Sequence, residues 1–154
     1  MDKVFTIQKI KNGTVIDHIP CGMVLKVLKI LNIEGNIGST VSVAMHVISK
    51  KNECKDILKV EDKFLDGKEV DKIGLIASKA TINIIKDFKV VVKHKVSLPD
   101  EIGGIVKCAN PNCITNKKEP IVGMFYVVSQ KPVTLKCRYC EREMEHIDVV
   151  NNIL

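Results

Sequence analysis

The chain has 154 residues, 45% of them hydrophobic but only 4% aromatic and none tryptophan, so one ordinary domain or two small ones with an Ile, Val and Leu core are expected. No apolar run approaches the roughly 18 residues of a membrane span, and Met1-Asp2-Lys3 leads into no long apolar stretch, so neither a span nor a signal peptide is expected. The formal net charge is +6, and all of it lies early: residues 1–98 hold 17 lysines against 11 acids, while residues 99–154 are balanced. A basic surplus favours an anionic partner such as nucleotide, nucleic acid or acidic protein, although a solvated lysine surface accounts for it as readily. Six cysteines in a chain without a secretion signal point to the cytosol, with thiols reduced or on metal.

Residues 4–10 read as a strand. Lys11-Asn12-Gly13-Thr14 reads as a turn, since Asn-Gly is a strong turn pair. Pro20 suits the first turn of a helix, and Met23, Val24, Val27, Leu28 and Leu31 follow at helical spacing. Residues 39–48 are β-branched and read as a strand, as do 56–60. Asp66, three residues before Glu69, forms a capping-box pattern that opens a second helix with Val70, Ile73, Ile76 and Ala77 on one face. Residues 81–85 and 88–96 complete the pattern as two strands. The order is β-α-β-β-α-β with the last strand doubled. That is the ferredoxin-like pattern, an antiparallel sheet with two helices on one face and the other face free.

Ser97-Leu98-Pro99-Asp100 reads as a linker between residues 1–98 and 99–154. The second part is too short for a strong core of its own, and a structural metal supplies what is missing. Cys108, Cys113, Cys137 and Cys140 follow the spacing C-x4-C-x23-C-x2-C, two close pairs across a long excursion. Four thiolates so arranged form a tetrahedral zinc site with no position open to water, hence one structural Zn2+ per chain. Strands are expected at 122–128, 133–136 and 145–150, giving an α+β protein whose C-terminal part is a small zinc-bound β-domain. Cys21 and Cys54 read as free thiols without a catalytic role. No P-loop, G-x-G-x-x-G, nucleophile elbow or open metal site is present in the sequence, so no enzyme is expected.

The string Gly13-Thr14-Val15-Ile16-Asp17-His18-Ile19-Pro20, followed by Ser97-Leu98-Pro99 and the cysteine set with Cys137-Arg138-Tyr139-Cys140-Glu141, resembles the regulatory chain of aspartate carbamoyltransferase. The resemblance runs from about residue 4 to residue 150. It implies a non-catalytic cytoplasmic chain that dimerises, binds the effectors CTP and ATP through its N-terminal domain, and holds the catalytic chain through its zinc domain. Catalytic trimers and regulatory dimers then control pyrimidine synthesis together.

The resemblance further implies nucleotide contacts by Ile10, Asp17, His18, Lys59, Asn83, Ile85, Val90 and Lys93, with Lys55 a weaker match. It implies catalytic-chain contacts by Asn110, Asn112 and Glu141. An Asp accepts from ribose or base, and lysines serve as point charges for a triphosphate. Taken singly, the lysines are also ordinary surface and the apolar residues ordinary strand core. Val4, Gln8, Lys9 and Phe88 depart from the family pattern and bear on effector preference. The competing reading is a zinc-ribbon nucleic-acid-binding protein. Against it, the cysteine-rich part has no basic excess and the free sheet face lacks paired aromatics, so neither nucleic acid nor membrane is an expected partner.

Overall fold

A computed structural model describes residues 9–33, 35 and 38–154. The elements in chain order are β1 (Gly13–Pro20), α1 (Val24–Ile30), β2 (Val41–Ile48), β3 (Cys54–Glu61), α2 (Gly67–Ile76), β4 (Thr81–Lys86) and β5 (Lys89–Lys95). They build one antiparallel sheet in the order β2-β3-β1-β4-β5. β6 (Glu101–Gly103), β7 (Met124–Gln130), β8 (Val133–Cys137) and β9 (Glu143–Met144) form a second antiparallel sheet in chain order, followed by α3 (His146–Asn151).

Strand alternation sets the first core. Ile16, Leu58, Val60 and Ile82 point to one side, where they meet Val24 and Val27 of α1 and Ile73 and Ile76 of α2. The intervening residues of the same strands therefore face away from the helices. α2 begins as its sequence predicts: Asp66 accepts the Glu69 N–H at 2.8 Å, and the Glu69 carboxylate accepts the Asp66 N–H at 3.3 Å.

The first strand differs from expectation. Of the expected strand 4–10, residues 4–8 lie outside the described residues, and Lys9 and Ile10 are not in a strand. Gly13–Pro20 is instead the central strand, and Pro20 ends it rather than opening a helix. Its register explains this: Thr14 and Ile16 are buried, and β3 and β4 pair on its two sides. Gly13 is required here, because a Cβ would run into the Val60 carbonyl oxygen.

The second sheet has its own core of Phe125, Val133, Leu135, Met144, Val149 and the cysteines. The expected strand at 145–150 is a correction: that segment is α3. Its β-branched residues suggest a strand, but burial of Val149 and donation from His146 Nε2 to the Leu75 carbonyl at 3.0 Å select a helix docked on α2. The connection at 97–100 is not loose. Leu98 is buried, and its N–H and C=O pair with the Gln130 side chain at 3.1 and 3.2 Å. Leu75 of α2 packs into the second core as well.

Candidate functional site: a polar sheet face and a four-cysteine metal centre

The helix-free face of the first sheet gathers most of the residues expected to contact nucleotide. Register pairs Lys59 with Val15, Val15 with Asn83, and Asn83 with Lys93, one row across four strands. Beside it lies Gly13 paired to Ile85, and Ile85 to Val90. Ile10 is buried over Gly13. Neither Lys59 nor Lys93 is in an ion pair among the described residues. The row therefore offers two ammonium groups flanking an amide.

On the other side lies Asp17, paired with Thr81, which pairs with Lys95. Lys55 Nζ reaches the two Asp17 oxygens at 2.9 and 3.2 Å, and the His18 N–H donates to Asp17 at 2.7 Å. Burial pushes the Asp17 carboxyl up, but the hydrogen bond and charge of Lys55 and the His18 N–H outweigh it and hold the group below its ordinary value. Sequence reasoning gave Lys55 little weight, yet it is the direct partner of Asp17. Thr81 and Lys95 are not among the expected residues, although Lys93 and Lys95, two positions apart on β5, were an available signal.

His18 is not in these rows. It sits in a bulge of β1 with φ 59° and is exposed. Of the residues that depart from the family pattern, Val4 and Gln8 lie outside the described residues. Lys9 is exposed, and Phe88 is exposed at the β4–β5 turn with φ 65°.

In the second sheet the four cysteines converge. Cys108 Sγ lies 3.7 Å from Cys140 Sγ, Cys113 Sγ lies 3.7 Å from Cys137 Sγ, and all four sulfurs lie within 4.8 Å of one another. Four sulfurs bonded to one tetrahedral ion at about 2.3 Å stand about 3.8 Å apart, so the set fits a thiolate-bound metal. Burial pushes the Cys108 thiol up to about 12 and raises Cys137. At Cys140 the Arg142 N–H, the Asn110 side chain and the neighbouring thiols overcome burial and lower it to about 7. Buried thiols this close ionise together only with a cation among them.

Both knuckles are built by short-range hydrogen bonds. Asn110 Oδ1 accepts the Asn112 N–H at 3.0 Å, and the Cys113 N–H donates to the Asn110 carbonyl at 3.0 Å. Asn116 Nδ2 donates to the Cys108 and Asn110 carbonyls at 2.8 and 2.7 Å, a clamp that sequence reasoning missed. The Cys137 N–H donates to the Arg142 carbonyl at 2.9 Å, and Glu141 turns the knuckle at φ 62°. Asn112 and Glu141 point outward and exposed, with Asn110 half-buried behind them.

Comparison with known families decides what these two sheets belong to. Residues 5–97 match the family described as the aspartate carbamoyltransferase regulatory chain, allosteric domain, and residues 100–150 match its metal binding domain. The chain belongs to the aspartate carbamoyltransferase regulatory-chain family. The regulatory chain of Thermococcus sibiricus is 55% identical over 152 residues, 99% of each chain. That of Thermoplasma volcanium is 51% identical over 148 residues, 96% of this chain and 97% of the relative. That of Thermofilum pendens is 49% identical over 155 residues, 100% of this chain and 98% of the relative. As a member of this family the chain is a regulatory rather than a catalytic one. The convergent cysteines are its metal-binding centre.

Proposed function

We propose that this chain is the cytoplasmic regulatory subunit that binds CTP and ATP and passes their effect to the catalytic chain of aspartate carbamoyltransferase, controlling pyrimidine synthesis. Residues 1–98 form the effector domain and residues 99–154 the domain that contacts catalytic trimers, with the regulatory chains paired as dimers. The observation that carries the reading is the row Lys59, Asn83 and Lys93 on the helix-free face. The two ammonium groups hold the phosphates, Asn83 reads a polar group, and Asp17 accepts from ribose or base. Ile10, Ile85 and Val90 give the apolar wall. His18, one residue beyond, lies at the edge of this patch.

In the second domain Cys108, Cys113, Cys137 and Cys140 would hold Zn2+, which when bound supplies rigid cross-linking of the knuckles and no catalysis. Asn110, Asn112 and Glu141 then contact the catalytic chain from rigid turns. The packing of Leu75 and the Gln130–Leu98 pairing support a mechanical link between the domains. An effector that favours one arrangement of the assembly by about 1–3 kcal/mol suffices for control. Neither nucleic acid nor membrane is a partner in this reading; among the described residues no helix is long and apolar enough to cross a membrane.

The test is reconstitution. The zinc-loaded chain is mixed with catalytic trimers and weighed by native mass spectrometry, with and without a chelator. A complex of trimers and dimers that falls apart on zinc removal is expected. Assembly indifferent to zinc would overturn the proposed role of the metal domain.

A further inference from the structure

Two cysteines lie outside the metal centre. Cys21 directly follows β1, and Cys54 opens β3. The register sets Pro20 opposite Lys55 and so brings their neighbours together. The Cα atoms are 5.6 Å apart and the sulfurs are bonded, which corrects the expectation of free thiols. They stand 33 positions apart in sequence, so only the strand register reveals the pairing. His46 completes the cluster, its Nδ1 lying 3.1 Å from Cys21 Sγ and 3.5 Å from Cys54 Sγ.

One buried carboxylate holds all three parts. Asp56 is fully buried and accepts the N–H groups of Gly22 at 2.8 Å, Val24 at 3.1 Å and His46 at 3.0 Å. It thereby fixes the residue after Cys21, the start of α1, and the β2 bulge that carries His46. His46 has φ 57°, a backbone state that a non-glycine residue keeps only where its surroundings impose it. Cys54 and His46 are exposed and Cys21 is half-buried. Both cysteines line a cavity of about 410 Å³ with His18, Lys55 and Lys79. A reagent can therefore reach the sulfurs from solvent.

We propose that Cys21, Cys54 and His46 form a thiol–disulfide exchange site whose substrate is a dithiol. A thiolate of the dithiol attacks Cys54 Sγ, on the more exposed of the two cysteines. The Cys21–Cys54 bond breaks, and Cys21 leaves as a thiolate that accepts a hydrogen bond from the neighbouring His46 ring and is then protonated from solvent. The second thiolate of the reagent then attacks the mixed disulfide and releases Cys54, which is protonated from solvent. The reagent ends as a disulfide and both cysteines as thiols. The exchange frees the end of β1 from the start of β3, beside the Asp17–Lys55 ion pair.

The test uses the full chain with its metal retained and zinc content measured first. Samples are alkylated under native conditions before and after a brief exposure to dilute dithiothreitol, then mapped by mass. The expected result is no label at Cys21 or Cys54 before, both labelled after, and the label blocked again by oxidised glutathione. In His46→Gln the exchange slows roughly tenfold while melting temperature and metal content stay put. Cys54→Ser leaves Cys21 labelled without any reductant. Cys21, His46 and Cys54 also offer three donors to a metal. A second ion per chain held by them would overturn the proposal, as would thiols that stay free under oxidised glutathione, or wild-type exchange rates in His46→Gln.

Discussion

The first sheet's outer face and the cysteine knuckles are built on opposite plans. The face is a row of side chains from four strands, aligned by register alone, with Lys93 exposed, Lys59 half-buried and neither in an ion pair among the described residues. The knuckles are two short turns whose sulfurs, three of them on buried residues, stand 3.7 Å apart within each facing pair, the spacing of a tetrahedral thiolate site. The difference separates binding from integrity. A lysine of the face can be removed without touching a core, whereas a sulfur of the knuckles cannot. Substitutions should divide along that line.

The largest effect is expected at the metal centre. Cys137→Ser, at a fully buried position, should lose the metal and unfold the second sheet while the first persists. Metal analysis and hydrogen exchange resolved by sheet check this. Next comes Asp56→Ala, which strands three N–H groups and should cost about 3 kcal/mol or more in chemical denaturation. Both changes strike integrity.

Binding is struck by Lys59→Ala and Lys93→Ala. Each should weaken CTP and ATP about tenfold by calorimetry, with stability within about 0.5 kcal/mol of wild type. A comparable loss of stability would break the comparison. The smallest effect belongs to Asp17. Its carboxyl is held below the ordinary 3.8, so its contribution is complete above that pH and is lost as pH falls through the lower folded value. Asp17→Asn should cost up to about 1 kcal/mol at pH 7 and converge with wild type in strong acid.

The two plans also differ in how far the sequence discloses them. The cysteine spacing is legible because each pair of ligands is local, and the Asp66–Glu69 cap is legible for the same reason. The face is less so. Lys59, Asn83 and Lys93 are singled out by family resemblance, but their common row depends on β1 lying at the sheet centre. Asn12-Gly13 and Pro20 disguise β1 as a turn and a helix start, although Thr14 and Ile16 alternate as a strand requires. α3 is hidden by Ile147, Val149 and Val150, whose β-branching is overruled by docking through His146 onto α2. The Cys21–Cys54 pairing is long-range in the same way. What short spacing encodes can be read directly, and what register encodes awaits the fold.

The most direct test of the central claim is one titration of CTP and ATP into the assembled complex of this chain with catalytic trimers. Wild type is compared with the Lys59→Ala, Lys93→Ala double variant, and assembly mass is recorded on the same samples. The account predicts intact assembly with the nucleotide response lost in the double variant. An unchanged response in a fully assembled complex would contradict it.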